Sequence, residues 1–239
     1  MTDPKIDRRN LLTAGAMMTI GAATLAASAA DAQTTPTLTG STFTPQPAPL
    51  PFDPKTISGL SEKLLVSHHG NNYVGAVKRL GTISAQFAGI DPAKAPGFTV
   101  NGLKREELIA WNSMILHELY FAGLGAPSKP GQPLAQAIER DFGSHDRWAA
   151  EFSGMGKALG GGSGWVLLQW SHRDQRLTNQ WAADHTATLA GSTPILALDM
   201  YEHAYAMDYG AKAGDYVDAV MRAIAWANAD HLFASAARG

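Results

Sequence analysis

Asp199-Met200-Tyr201-Glu202-His203-Ala204-Tyr205 follows directly on the apolar run Pro194-Ile195-Leu196-Ala197-Leu198. The run reads as a buried strand, and the residues after it read as the first turn of a helix. A carboxylate therefore stands at a strand end, and an imidazole follows four residues later. Both side chains can turn toward one point, as hard oxygen and borderline nitrogen ligands must to hold a metal ion. The spacing alone also fits a cap or a surface ion pair, so the rest of the chain has to decide.

Upstream, the pattern from Ser58 to about Ala88 is helical. Leu64, His68, Asn72 and Ala76 recur at i, i+4 steps and share one face, with Leu60, Val77 and Leu80 supplying apolar contacts. Asp91 to Gly102 carries prolines and glycines and reads as a loop. A second helix is predicted from about Lys104 to Gly123, stopped by Gly123-Leu124-Gly125, with Ile109, Ser113 and His117 on one face. Two long helices joined by a modest loop form an antiparallel hairpin, which brings His68 and His117 onto facing surfaces. A lone histidine on such a stripe also serves as a satisfied core residue.

Pro133 to Phe142 and Ser144 to about Leu159 read as two shorter helices, the second with Ser144 as its N-cap. Gly160-Gly161-Gly162-Ser163-Gly164 is not a phosphate loop. No Lys-Ser/Thr pair opens a helix there, and Trp165 opens a strand instead. Trp165–Trp170 and Arg176–Trp181 are strands around a turn, and Pro194–Leu198 is the third. Helices resume at Tyr201–Tyr209 and Asp215–Asn228. Helices, then a small sheet, then helices give an α+β chain. An N-terminal antiparallel helical hairpin (50–126) precedes a C-terminal α/β domain (127–239) with a small three-stranded antiparallel sheet.

Composition narrows the chemistry. The 239 residues are 45% hydrophobic and 17% charged, with a net charge of -2, which offers nucleic acid or an anionic membrane no electrostatic footing. The absence of cysteine removes disulfides, thiol catalysis, iron–sulfur clusters and Cys-ligated zinc. It also suits an oxidising compartment. Asp7-Arg8-Arg9-Asn10-Leu11-Leu12 precedes a small-residue apolar segment, Thr13 to Ala29, and Ala30-Asp31-Ala32 offers a cleavage site before Gln33. Residues 1–32 are expected to be a twin-arginine signal peptide that leaves no membrane anchor, so that the protein is exported, as to the periplasm. Residues 33–49, rich in Thr and Pro, are expected to be a disordered linker.

Of eight histidines, His145, His172 and His231 fall in caps, turns or tails. His117-Glu118 opens like a zinc-peptidase helix, but Phe121 stands where the second histidine belongs. No serine sits in a G-x-S-x-G elbow. Two histidines on facing helices, with Asp199 and His203, compose a His3Asp set. It suits Fe or Mn and leaves a fifth position open to water.

Together these elements resemble the iron/manganese superoxide dismutases. Asp199 to Tyr205 is similar to that family's D-x-W-E-H-A-Y signature, with Tyr201 in place of Trp. Leu50-Pro51-Phe52, His68-His69, His117-Glu118-Leu119-Tyr120-Phe121 and Gly162-Ser163-Gly164-Trp165 resemble its other motifs, in the same order. The resemblance implies one Fe or Mn per subunit on His68, His117, Asp199 and His203, with superoxide as substrate. It implies a homodimer in which Glu202 hydrogen-bonds the partner's copy of His203. It gives Trp165 and Phe121 as walls of the metal pocket, and His185 as the group that hydrogen-bonds metal-bound solvent. Ser113 stands at the other place from which some members supply a Gln, and is too short to do that directly. There are departures. The family's gateway Tyr falls at Ala76, its neighbouring His at Asn72, and the Tyr that pairs with that His across the dimer at Ala206. Tyr73 points roughly a hundred degrees away around a regular helix. The expected activity is superoxide dismutation at a reduced rate. The alternative is a metal-binding homologue with altered oxidoreductase activity.

Overall fold

The computed structural model describes residues 40–238. The expected signal peptide and the first part of the expected linker lie outside them. Among the described residues, no helix is long and apolar enough to cross a membrane.

The hairpin is built from α1 (Glu62–Ser67), α2 (Val74–Ala88) and α3 (Gly97–Ala122). Ser61 caps α1 by accepting from the Leu64 N–H at 3.1 Å. Between α1 and α2 the chain winds as a π-helix, His68–Tyr73, so the expected continuous helix carries a wider turn at its first histidine. α3 starts seven residues before the expected Lys104. Pro96 and Gly97 read as breakers in sequence, yet Pro96 sits at the cap, where a missing N–H costs nothing. Tyr73 meets Glu118 and Arg79 meets Glu106, which fixes the antiparallel register.

Residues 41–49 carry neither helix nor strand, as a linker would. They are nevertheless fastened to the hairpin. The Phe43 N–H donates to Ser84 Oγ (2.7 Å) and its ring stacks on Trp111, while the Ala48 N–H donates to the Tyr73 hydroxyl (2.7 Å).

The second half opens with α4 (Gln132–Phe142) and α5 (His145–Ala158). Gly143 ends α4 in the left-handed conformation, at φ 88°, and Ser144 caps α5 through the Arg147 N–H. The sheet comprises β1 (Trp165–Ser171), β2 (Arg176–Ala182) and β3 (Ser192–Asp199), antiparallel throughout, in the order β2-β1-β3. β1 is central and buried along its whole length, which its near-continuous apolar run requires. Pro194 is tolerated because β3 is an edge strand. Trp165 pairs with Asp199, so the sheet sets these two residues side by side.

Two predicted helices change form. Tyr201–Tyr209 splits into a 3₁₀ turn, Glu202–Ala204, and the short α6 (Ala206–Tyr209). The Asp199 carboxylate accepts from the Tyr201 N–H at 2.8 Å, and Tyr205 leaves the helical region at φ -144°. Asp215–Asn228 becomes α7 (Ala213–Arg222) and α8 (Ala227–Ala236). The break is tertiary: Leu124 and Ile224 form an isolated antiparallel bridge, and Ser128 Oγ accepts from the Trp226 N–H.

Gly164 marks the lead-in to β1. Its φ is +134°, and a Cβ there would stand 2.3 Å from the Ala182 carbonyl oxygen. Gly164→Ala is therefore expected to cost about 2–3 kcal/mol of unfolding free energy, measured by denaturant titration.

Candidate metal centre

Four elements carry the site. His68 opens the π turn, His117 lies near the end of α3, and Asp199 ends β3 with His203 in the 3₁₀ turn after it. One potential ligand atom from each lies within 4.8 Å of the other three. The Nε2 atoms of His68, His203 and His117 stand 3.1, 3.3 and 3.5 Å from Asp199 Oδ2. Atoms bonded to one ion at about 2.1 Å, and about 90–120° apart, stand about 3.0–3.6 Å from each other. The three distances to Asp199 thus suit ligands of a shared cation.

The electrostatics point the same way. Asp199 is fully buried, and His68 and His117 are each 1% exposed. Burial pushes the imidazoles of His68 and His117 down, the latter to about 3, so both keep a free lone pair at neutral pH. Burial alone would push Asp199 up; hydrogen bonding with His203 and His68 overcomes it and holds the group below the usual carboxylate range. His117 Nδ1 donates to the Ser113 carbonyl at 2.6 Å, which fixes the tautomer and leaves Nε2 as acceptor. His117 Nε2 has no hydrogen-bond partner, although it is buried. A lone pair that faces a carboxylate and no donor is what a bound cation satisfies. The donor set, three neutral imidazoles and one carboxylate, fits Fe or Mn.

The surroundings hold these groups in place. The Tyr216 hydroxyl donates to the Asp199 carbonyl at 2.7 Å and lies 3.2 Å from the Tyr120 hydroxyl. Trp165 meets His117 edge-on at 5.2 Å between ring centres, and Phe121 meets His68 at 5.1 Å. His185 stands 6.2 Å from the His117 ring and accepts from Trp165 Nε1 at 3.0 Å on its Nδ1, so its neutral ring carries the proton on Nε2. Glu202 is exposed in the single chain.

Other residues were not singled out for a role at the site in the sequence. Tyr201 is sandwiched between His203 (5.4 Å) and His185 (4.8 Å), both nearly parallel to it. Its place in the D-x-Y-E-H run was the available signal. Tyr73 does not reach Ala76's side. The helix is distorted at the π turn, but its hydroxyl donates to Glu118 Oε1 at 2.8 Å and accepts from Ala48, tying α3 to residues 41–49.

The family model of the iron/manganese superoxide dismutase C-terminal domain matches residues 130–232. A superoxide dismutase [Fe] of Cupriavidus metallidurans is 65% identical over 190 residues, which span 80% of this chain and 96% of that protein. A superoxide dismutase [Mn] of Haloarcula marismortui is 33% identical over 195 residues, 76% of this chain and 90% of that protein. A superoxide dismutase [Fe] of Aquifex pyrophilus is 31% identical over 181 residues, 72% of this chain and 84% of that protein. With its helical hairpin, its three-stranded sheet and this extent of similarity, the chain belongs to the iron/manganese superoxide dismutase family.

Proposed function

We propose that the protein is a superoxide dismutase that converts superoxide to oxygen and hydrogen peroxide at one Fe or Mn ion. The observation that carries this reading is the convergence of three imidazoles and one buried carboxylate, with the His117 lone pair unpartnered. His68, His117, Asp199 and His203 would hold the ion. When bound, it supplies the one-electron chemistry, taking an electron from one superoxide and giving it to another.

The chain's own residues do the rest. Ser113 fixes the His117 tautomer, and Tyr216 holds the Asp199 backbone. Trp165 and Phe121 crowd the imidazoles and exclude bulk water from their edges. His185, locked through Trp165, offers an N–H beside the cluster. A changed role is not favoured, because the 65% identical relative is itself a superoxide dismutase [Fe].

Two further readings belong to the same proposal. The enzyme works as a homodimer in which Glu202 accepts from the partner's copy of His203. The exposure of Glu202 and the 27% exposure of the His203 side chain leave both open to a second copy. The enzyme is also exported to the periplasm by the twin-arginine route, for which the Arg8-Arg9 pair and Ala30-Asp31-Ala32 are the support.

Metal-loaded protein is expected to dismutate superoxide, and His117→Ala to lose stoichiometric Fe or Mn by elemental analysis together with at least about 100-fold of the activity. Equal activity in the two proteins would end the reading. Glu202→Ala is expected to shift sedimentation toward the monomer, and an unchanged dimer with unchanged metal content would remove Glu202 from the interface. Mass spectrometry of exported protein is expected to find Gln33 at or close to the N-terminus. An intact Met1 on exported protein would refute the signal peptide.

A further inference from the structure

The strap before the first helix alternates proline with other residues: Pro45-Gln46-Pro47-Ala48-Pro49-Leu50-Pro51. Each proline fixes its own φ and keeps the residue before it out of the helical region. The strap is therefore extended before it docks and loses little entropy in docking.

It runs along both helices of the hairpin. At its outer end Ser84 of α2 holds the Phe43 N–H, and Trp111 of α3 holds the Phe43 ring. From Phe43 to Ala48, five extended residues span about 16 Å at about 3.1 Å each. The eleven residues from Ser84 back to Tyr73 span about the same length at about 1.5 Å each. The lengths match, so the inner end of the strap meets the π turn.

There a single residue grips both ends of the turn. The Ala48 carbonyl accepts from His69 Nε2 at 2.9 Å, and the Ala48 N–H donates to the Tyr73 hydroxyl at 2.7 Å. That hydroxyl, on a side chain 1% exposed, donates in turn to Glu118 Oε1 at 2.8 Å. His69 follows His68 in the chain, and Glu118 follows His117. The strap is thus bonded to the immediate neighbours of both helical ligands. Pro49 and Pro51 line a cleft of about 230 Å³ together with His69, Tyr73 and Phe121, and Phe121 meets the His68 ring.

We propose that the strap and Tyr73 form a clasp on the metal centre, in which Ala48 and Tyr73 are positioning residues that hold His68 and His117 at their working separation and slow the loss of the bound ion. The inference rests on the metal-site reading above. An ion leaves only after an imidazole turns away, which is a local opening of the π turn or of α3. The clasp ties these two segments to each other and to the strap, so it opposes that opening.

The test follows iron-loaded full-length mature protein in excess chelator, reading the absorption of the metal centre as iron is lost. Tyr73→Phe leaves the Ala48 N–H and Glu118 without their shared partner, and is expected to release iron about 5-fold faster or more and to shift the absorption of the loaded centre. Ala48→Pro deletes one N–H and keeps the strap extended; it is expected to speed release about 3-fold. Glu118→Gln still offers an oxygen to the Tyr73 hydroxyl and is expected to stay within about 2-fold of wild type. Ser144→Ala is the control: it removes the α5 N-cap and lowers overall stability, away from the strap, and is expected to release iron at the wild-type rate. Wild-type release and absorption in Tyr73→Phe would overturn the clasp. So would release from Ser144→Ala that is accelerated as much as from Tyr73→Phe, which marks general loosening of the fold. A wild type that takes up no stoichiometric iron would end the metal-site reading and the clasp with it. A protein that holds iron, loses it in a Tyr73-dependent way and does not dismutate superoxide would refute the dismutase reading and leave the clasp standing.

Discussion

The structure depends on one electrostatic demand. A carboxylate, Asp199, is fully buried against three imidazoles, two of which burial keeps neutral. A buried charge of that kind costs several kcal/mol unless an opposite charge sits beside it. Among the described residues Asp199 pairs with the three imidazoles and with no Lys or Arg, and the His117 lone pair facing it has no donor. The arrangement is self-consistent once a cation occupies the point where the four ligand atoms meet, and metal affinity then becomes folding free energy.

Each part of the fold serves that point. The sheet places Asp199 beside Trp165 through strand pairing, and Gly164 lets the chain enter β1 at an angle that no side chain would permit. The hairpin brings in His68 and His117 from two helices whose register is pinned by Tyr73–Glu118 and Arg79–Glu106. The π turn starts at His68 itself, and such turns gather at functional sites because the wider winding re-aims side chains. Here it carries the Tyr73 hydroxyl to Glu118, and the positions on the pocket side are left to Asn72 and Ala76. Asn72 and Ala76, which line a groove between α2 and α3, and Tyr73, which faces Glu118, thus belong to one piece of helix.

Local signals decided much of this in advance. Ser144 caps α5 because its hydroxyl is matched to a free backbone N–H three residues on, a contact within one turn. β1 and β3 follow from short apolar runs and β2 from its place across a turn from β1, and each is found within two residues of its expected bounds. The family motifs name the four ligand positions because the chemistry needs those side chains at those places. Their meeting required chain segments 131 residues apart to pack together.

What the sequence alone determined, then, is the inventory: an α+β chain, two helices bearing histidines, and a strand ending in Asp199. Tertiary structure decided the rest, because long-range contacts override local preference. α7 stops at Arg222, where Ile224 pairs with Leu124 and the Trp226 N–H donates to Ser128 across the fold. Residues 41–49, polar and aperiodic, are held because Tyr73 and Ser84 offer them hydrogen-bond partners. The groove lined by Asn72, Ala76, Ala110 and Ser113 forms where two helix faces with small side chains meet the loop that carries His185, a space that no single segment encodes.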